Sequence, residues 1–301
     1  MSFDAVIVGG SFAGLSAAMM LARARRSVLV VDSGLPRNRF SNHSHGVLGL
    51  DGISGSDLLR QAKGQLLDYS TVRWATDTVI DVQPTVDGFA VTSASGETWA
   101  ARKLLLATGI RDVLPELPGL AERWGHSVLH CPYCHGYEIG GGQIGLLGGH
   151  AMSSMMAGVL ADWGQVTLFA HGMTLDDEAL ATLQRRGVRV ETEQVVALEG
   201  EAPQLSAALL ADGRRIDLRA LFVSARQQMA SPLVEQLGCQ LDESPVGVLI
   251  RVDAQKQTTG PGVYAAGDAT VMGNITLASA EGVRAGVSLH HALIADDPAI
   301  P

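Results

Sequence analysis

The chain has 301 residues, 47% of them hydrophobic and 18% charged, which is enough for one large or two medium domains with buried cores. Its formal net charge of -9 argues against a nucleic-acid partner or an anionic membrane surface, because the overall field repels phosphate groups. Three cysteines are too few for the disulfide framework of a secreted domain, and an odd number with one close pair is more typical of a cytosolic redox site.

The amino-terminal segment shows no recognisable targeting signal. The first four residues lack a basic region, and the apolar run at residues 5–8 is too short for a secretion signal. No apolar segment is long enough to span a bilayer. We therefore expect a cytoplasmic protein without a membrane partner.

The first recognisable unit is a strand, a glycine-rich turn, a helix and a second strand. An apolar run at residues 5–8 leads into the turn GGSFAG at 9–14, then a helix to about residue 25 and a second apolar run at 28–32. This order predicts a βαβ unit that binds a dinucleotide, because glycines allow the backbone to approach a pyrophosphate closely. The alternative is a glycine-rich turn with no ligand.

Five residues of this unit are candidate cofactor contacts. Ser11 stands where the strict fingerprint has glycine, so binding requires that a hydroxyl fits there. Asp32 ends the second strand, where a carboxylate can accept hydrogen bonds from an adenosine ribose. The candidates are Gly9, Gly10, Ser11, Gly14 and Asp32.

Two later strands also end in small-residue turns. The run at 104–106 leads into Thr108 and Gly109, after alternating segments at 78–85 and 88–92. Near the other end of the chain, a strand at 262–266 leads into Gly267 and Asp268. Such a turn can hold a ribityl hydroxyl or bridge to a phosphate, but it is equally typical of a plain strand exit.

A second βαβ pattern begins at residue 143, and its glycine loop departs from the fingerprint. In the loop GGHAMS at 148–153, His150 and Ser153 occupy positions where glycine normally permits close approach. The strand that follows ends at Ala170-His171-Gly172, which supplies neither a carboxylate for a ribose diol nor an arginine pair for a 2′-phosphate. Arg185 and Arg186 are expected on the solvated face of the next helix. The loop therefore does not favour NAD(P)H.

These patterns predict an α/β fold with two dinucleotide-binding (Rossmann-like) domains, the second inserted in the first. Residues 1–116 and 247–301 form the discontinuous domain, and residues 117–246 form the inserted one. Pro115, Pro118 and Pro245 mark the expected crossings.

The chemistry is concentrated in the segment HCPYCH. Cys131 and Cys134 can close a small disulfide ring with little backbone movement, and His130 and His135 flank them as candidate proton carriers. The alternative is a zinc site, which lacks a second cysteine or histidine pair. We expect no metal, and we expect Cys239 to be a buried small residue outside the site.

The motifs occur in the order found in low-molecular-weight thioredoxin reductases, which the whole chain resembles. The resemblance implies FAD in the discontinuous domain, NADPH in the inserted one, and a homodimer. It also implies that Cys134 faces the isoalloxazine ring, that Cys131 meets the substrate, and that Asn38 contacts FAD. The start of the last helix, with Ile275 and Thr276, is expected to direct backbone N–H groups toward the flavin.

One departure from that pattern points to a subgroup. The residue after the second cysteine is usually aspartate in those reductases, whereas here it is His135. In this respect the chain resembles FAD-dependent dithiol oxidases of the gliotoxin and holomycin type, which pass electrons from a dithiol to FAD and then to oxygen. A histidine is also the better reversible proton acceptor near neutral pH.

Three functions follow as hypotheses. The first is an FAD-dependent dithiol oxidase acting on a small-molecule or protein dithiol, with oxygen as the acceptor. The second is an NAD(P)H-dependent thioredoxin or disulfide reductase with an atypical nucleotide loop. The third is a flavin redox sensor without turnover.

Four further histidines are weaker candidates. His43 and His45 lie in the polar segment 37–46, which follows the first βαβ unit and could simply be a loop. His290 and His291 lie in the last helix, and one of them could reach the cysteines. For these two, a surface or core histidine is the favoured interpretation.

Overall fold

The computed structural model describes residues 2–150, 152–245 and 247–297, which divide into two compact units. Within these ranges, unit 1 comprises residues 2–39, 54–111 and 227–297, and unit 2 comprises residues 40–53 and 112–226.

The first part of the chain builds most of the sheet of unit 1. Its elements are β1 (Ser2–Val8), α1 (Phe12–Arg23), β2 (Val28–Asp32), α2 (Gly55–Leu67), β3 (Val72–Thr76), β4 (Val79–Thr85), β5 (Gly88–Ser93), β6 (Thr98–Leu106) and β7 (Ile110–Val113).

The middle of the chain forms unit 2 after a 3-10 turn at Ala121–Arg123. Its elements are β8 (Val128–Leu129), α3 (Pro132–Ile139), β9 (Gln143–Leu147), α4 (Ser153–Leu160), β10 (Gln165–Phe169), α5 (Asp177–Arg185), β11 (Arg189–Glu191), β12 (Val195–Glu199), β13 (Ala207–Leu210), β14 (Arg215–Asp217) and β15 (Ala220–Val223).

The last part of the chain returns to unit 1 and includes a 3-10 turn at Gly267–Ala269. Its elements are β16 (Arg226–Met229), α6 (Leu233–Gln236), β17 (Leu241–Ser244), β18 (Gly247–Ile250), β19 (Val263–Ala265) and α7 (Ile275–Asp296).

The main sheet of unit 1 has the order β3-β2-β1-β6-β5-β4, and β19 also pairs with β6. Strands β3, β2, β1, β6 and β19 are parallel, so their carboxyl ends meet at one edge. One face packs against α1 and α7, whose close approach depends on Gly282, because a Cβ there would lie 2.1 Å from the Ala13 carbonyl oxygen. The candidate cofactor residues follow these strand ends.

Unit 2 contains a parallel sheet of order β11-β10-β9-β15-β8 and a separate antiparallel sheet, β12-β13-β14. Apolar side chains of β9, β10 and β15 are buried, as expected for central parallel strands. The predicted fold class, α/β with two Rossmann-like domains, is confirmed.

The contact boundaries of the units differ from the sequence-based ones. The chain changes unit at 111/112 and 226/227, whereas the prolines suggested 116/117 and 246/247. Residues 227–245 belong to unit 1 because Leu233 and Val234 of α6 are buried in the same core as Val82. Segment 40–53 belongs to unit 2, where Phe40 lies against Gly125: a Cβ there would be 2.5 Å from that of Phe40.

The last helix begins at Ile275, where the side chain of Asn274 caps it. The Asn274 side chain accepts a hydrogen bond from the Leu277 N–H at 3.1 Å. Over the described part of the chain, no helix has the length and apolar character needed to cross a membrane.

Candidate active site

A candidate dinucleotide-binding cradle lies at the carboxyl edge of the unit 1 sheet. Val8 of β1 is opposite Val31 of β2 and Leu106 of β6, and Leu106 is opposite Ala265 of β19. The segments that follow these strands therefore emerge side by side, as they do where open α/β sheets bind ligands.

The glycine turn after β1 is tight enough to exclude other residues. Gly9 has φ +103°, and a Cβ there would lie 2.2 Å from the Ala107 carbonyl oxygen; at Gly14 the corresponding distance to the Gly9 oxygen is 1.9 Å. Ser11 is the N-cap of α1, but its side chain makes no capping hydrogen bond. The turn thus brings backbone N–H groups and the Ser11 hydroxyl, which makes no capping hydrogen bond, to the amino end of α1. Phosphate groups bind well at such helix ends.

Asp32 holds this turn in place. Its Oδ1 accepts a hydrogen bond from the Gly10 N–H at 2.8 Å, and its Oδ2 accepts one from the Gly34 N–H at 3.1 Å. Each carboxylate oxygen can accept a further bond, so a ribose diol remains compatible with this position.

Two buried polar atoms beside the cradle have no hydrogen-bond partner among the described residues. They are Thr108 Oγ1, after β6, and Trp74 Nε1, on β3. The tip of the Trp74 ring packs against Gly10, where a Cβ would lie 2.3 Å away. Because a buried donor without a partner costs free energy, this pair fits a polar ligand that is part of the folded enzyme.

The turn after β19 brings a second carboxylate to the same edge. Gly267, with φ +80°, approaches Ala13 of α1, and Asp268 follows it. Asp268 Oδ2 accepts a hydrogen bond from Arg37 Nη1 at 3.2 Å. Arg37 was not among the predicted site residues, although it stands beside Asn38 in the polar segment singled out from the sequence.

The remaining cofactor candidates are more open. Asn38 is exposed, Ile275 is half-buried at the first position of α7, and Thr276 is exposed. Gly109, with φ +67°, lies in the turn between β6 and β7.

The two cysteines in unit 2 form a disulfide. Cys131 is the N-cap of α3 and Cys134 lies in its first turn, with their Cα atoms 5.3 Å apart. Pro132 starts the helix, since proline is preformed for the first helical position. Both cysteines are half-buried. This placement puts both sulfurs at a helix amino terminus, which favours thiolate over thiol after reduction.

Trp163 packs against α3, the helix that carries the disulfide. Its ring lies against Gly136, where a Cβ would be 2.7 Å from the indole. The same ring makes an edge contact with Tyr133, at 5.5 Å between ring centroids. Tyr133 itself is 76% exposed, so the segment between the cysteines is open to a substrate.

The two histidines that flank the cysteines have different surroundings. Burial lowers the pKa of His135 below its ordinary value; the charge of Glu138 acts in the opposite direction, and that of His45 adds to the lowering. His135 is therefore neutral at neutral pH and can accept a proton. His130 stacks on Trp124, with 5.7 Å between ring centroids.

Side chains of the second glycine loop accept hydrogen bonds from backbone N–H groups of the same loop. The buried Ser153 Oγ accepts hydrogen bonds from the N–H groups of Gly149 and His150, at 3.3 Å and 3.4 Å. His150 Nδ1 accepts another from the Met152 N–H at 3.1 Å. Ala151, the remaining residue of the loop core, lies outside the described residues. The N–H groups that would otherwise face a pyrophosphate are thus engaged by side chains.

The weaker candidates have other surroundings. Cys239 is buried and its Sγ donates to Thr258 Oγ1 at 3.3 Å. Burial lowers the pKa of His290, and the charges of Arg26 and His291 lower it further. Among the described residues, no group of three or more histidine, cysteine or acidic side chains is placed to hold a metal ion.

A dinucleotide cradle in one unit and a disulfide on a helix in a second Rossmann-like unit define a disulfide oxidoreductase with two nucleotide-fold domains. A model of the pyridine nucleotide-disulphide oxidoreductase family matches residues 3–282, and the chain belongs to this family. It is a flavin-dependent disulfide oxidoreductase related to thioredoxin reductases, and the predicted family is confirmed.

Known proteins resemble the chain over nearly its whole length. "Thioredoxin reductase tcpT" of Claviceps purpurea is 33% identical over 97% of this chain and 95% of that protein. "Thioredoxin reductase sirT" of Leptosphaeria maculans is 30% identical over 99% and 96%. The solved structure of an oxidoreductase from Agrobacterium tumefaciens is 42% identical, with a TM-score of 0.94, and the match covers 99% of this chain and 100% of that one.

Proposed function

We propose that this enzyme is an FAD-dependent dithiol oxidase. It takes two electrons from a small-molecule or protein dithiol through Cys131 and Cys134, passes them to FAD, and gives them to oxygen. The observation that carries the proposal is the self-bonded second glycine loop, because Ser153 occupies the N–H groups that a nicotinamide dinucleotide would need. A neutral proton acceptor, His135, directly after Cys134 supports the same direction of electron flow.

The residues of the cradle are assigned to FAD. Gly9, Gly10, Ser11 and Gly14 would face the pyrophosphate, and Asp32 the adenosine ribose. We assign the contacts with the rest of FAD to a second set of residues: Asn38, Thr108, Gly109, Gly267, Asp268, Ile275 and Thr276. Bound FAD would supply the two-electron acceptor for the reduced cysteine pair.

The cysteines carry out the exchange in two displacements. A substrate thiolate attacks Cys131 Sγ, which breaks the disulfide and leaves Cys134 as a thiolate. The second substrate thiolate attacks the substrate sulfur of this mixed disulfide, releasing the oxidised substrate and the Cys131 thiolate. Two protons leave the substrate and two electrons remain on the cysteine pair.

His135 accepts the substrate protons in this scheme. Its lowered pKa keeps the imidazole neutral at pH 7, so that it is ready to act as a base. Activity should fall as the pH drops through that pKa, because the imidazolium no longer accepts a proton.

The second candidate function is an NAD(P)H-dependent disulfide reductase. It is favoured by the names of the relatives, several of which are thioredoxin reductases. A component of an alkyl hydroperoxide reductase from Pseudomonas putida, 28% identical over 97% of this chain and 58% of that protein, favours it as well. In that case the same cysteines would carry electrons outward to a disulfide substrate. A homodimer and a cytoplasmic location remain predictions for either function.

Anaerobic flavin spectroscopy on one purified sample separates the two functions. We expect rapid bleaching of the flavin by reduced dithiothreitol or a small-molecule dithiol, recovery on admission of air, and slow or no bleaching by NADPH and NADH. Bleaching by a nicotinamide but not by dithiols would establish the reductase instead.

Cysteine variants provide the controls. Cys131→Ser and Cys134→Ser should lose dithiol-driven bleaching, whereas Cys239→Ala, which removes the thiol outside the pair, should retain it. Equal bleaching in the wild-type enzyme and Cys131→Ser would mean that dithiols reduce the flavin directly, and it would contradict the proposed route.

A further inference from the structure

A chain of ionisable side chains runs from the disulfide helix to the surface of unit 2. Glu138 lies one helical turn after His135 on α3, at the spacing at which helix side chains are neighbours. Nδ1 of His45 lies 3.4 Å from Glu138 Oε1 and 3.5 Å from Asp51 Oδ2. Thus segment 40–53 contributes two groups beside the helix that carries both cysteines.

We propose that Glu138 and His45 are positioning residues that set the proton affinity of His135 and carry its proton to solvent by way of Asp51. The proposal rests on the proposed function in one respect, that His135 receives the protons of a dithiol. The residues act through His135 and are not assigned a contact with substrate.

The route begins at the half-buried His135 and ends at an exposed carboxylate, although His45 is more buried than Glu138, which precedes it. The side chain of His45 is 23% exposed, that of Glu138 40%, and that of Asp51 68%. Asp51 is kept ionised because its Oδ1 accepts a hydrogen bond from the Gly46 N–H at 2.7 Å, which lowers its pKa. A proton that leaves His135 therefore passes from a half-buried base to an exposed carboxylate.

The charges act on His135 in opposite directions. Glu138 stabilises the imidazolium and so raises the pKa, whereas a protonated His45 destabilises it and lowers the pKa. Helix α4, which packs beside α3, has no ionisable side chain. Burial has the largest effect on the pKa of His135, and Glu138 and His45 are the charged groups that act on it among the described residues.

The proton step is balanced without a redox partner. The S–H bond of a substrate thiol breaks as an N–H bond forms on His135, and the imidazolium then passes that proton to Glu138. Protonated His45 gives its Nδ1 proton to Asp51 and is reprotonated at the same nitrogen by Glu138. His135 returns to its neutral form, and the electron pair of the S–H bond remains on sulfur for the displacement at Cys131.

Titration of His135 by NMR tests the tuning directly. In ¹⁵N-histidine-labelled holoenzyme with the disulfide intact, the His135 signal is assigned by its loss in His135→Asn. Glu138→Gln should lower the pKa of His135 and His45→Gln should raise it. Glu138→Asp, which keeps the charge, should recover part of the loss.

His43→Gln is the matched control, because it removes the other histidine of the same segment and should leave the pKa of His135 unchanged. Shifts in the same direction for Glu138→Gln and His45→Gln, or no shift in either variant with flavin still bound, would overturn the proposal. A structural role alone would not produce shifts of opposite sign.

Rapid-mixing kinetics test proton transfer. The rate of flavin bleaching by a dithiol should rise with pH through the pKa of His135, and its acidic limb should move down in Glu138→Gln and up in His45→Gln. Asp51→Asn should slow bleaching several-fold without moving that limb; an unchanged rate would remove Asp51 from the route. The NMR titration uses neither dithiol nor oxygen. If dithiols fail to bleach the flavin, the proposed function is wrong, but the NMR titration still tests whether Glu138 and His45 set the pKa of His135.

Discussion

At the scale of single residues, the hydroxyl of Thr108 is a buried polar group with no hydrogen-bond partner among the described residues. Thr108→Val keeps the side-chain shape and removes only this hydroxyl. We expect FAD to bind about tenfold more weakly to the variant, because one hydrogen bond is lost. The measurement is the quenching of FAD fluorescence on titration with apoprotein.

The apoprotein supplies the control for this substitution. Since Thr108 Oγ1 has no partner among the described residues, its removal should leave the melting temperature of the apoprotein unchanged or slightly raised. A lower melting temperature with unchanged FAD affinity would show that the hydroxyl serves the fold and not the cofactor.

Gly14 is the residue where the cradle has least room. In Gly14→Ala the new methyl would lie 1.9 Å from the Gly9 carbonyl oxygen, so the turn or α1 must move. We expect the free energy of unfolding to fall by about 1–3 kcal/mol and the flavin to be released more readily. Denaturant unfolding and the flavin-to-protein absorbance ratio after gel filtration measure the two effects.

Gly64 is a matched control in the same unit. It lies inside α2, and a Cβ there would meet nothing within 4 Å. Gly64→Ala should therefore stabilise the protein by up to about 1 kcal/mol through helix propensity. Similar losses in both alanine variants would contradict the close contact at Gly14.

At the scale of elements, the position of α3 depends on its packing against Trp163. Gly136→Ala would place a methyl 2.7 Å from the indole ring, which should displace the disulfide helix and cost about 1–3 kcal/mol. We expect a lower melting temperature and slower bleaching by dithiol. Trp163→Phe in the same chain should restore part of both.

Tyr137→Ala is the control for that helix, because Tyr137 is 85% exposed. Its effect on the free energy of unfolding should stay within about 0.5 kcal/mol. If Gly136→Ala lowered the free energy of unfolding as little as Tyr137→Ala, the indole ring of Trp163 would have to be free to move. Trp163 would then not position the helix.

Elements with strong local patterns were predictable. Strand β2 lies where the apolar run placed it, β9 begins at the expected residue, and α1 ends within about two residues of the expected position, a usual uncertainty at helix ends. Segment 40–53 was not predictable as part of unit 2, because Phe40 and His45 have partners far away in the chain, at Gly125 and Glu138.

At the scale of the whole molecule, an ion-pair network joins the two ends of the discontinuous unit. Arg102 Nη1 lies 3.0 Å from Asp4 and 2.8 Å from Asp297, and Arg26 Nη2 lies 2.7 Å from Asp297. The hydrogen bonds from Arg26 and Arg102 hold the pKa of Asp297 below its ordinary value. This stabilisation is present above the unfolded pKa and is lost as the pH falls through the folded one.

Asp297→Asn should lower the melting temperature at neutral pH and low salt. The difference from the wild-type enzyme should shrink in high salt and below about pH 4, because screening and protonation remove the same interaction. Asp57→Asn, which breaks the exposed Arg60 pair within one helix, should have almost no effect. A loss that is independent of salt would exclude an ionic origin.

The sequence by itself determined the class of fold, the glycine turn at 9–14, the cysteine pair and the departure at His135, because each is a pattern of residues close together in the chain. Only the tertiary structure decided that Arg37 pairs with Asp268, that Ser153 closes the second loop through its hydroxyl, and that His45 meets Glu138. Such contacts depend on side-chain directions and on which strand ends and loops converge, and neither is encoded in spacing along the chain.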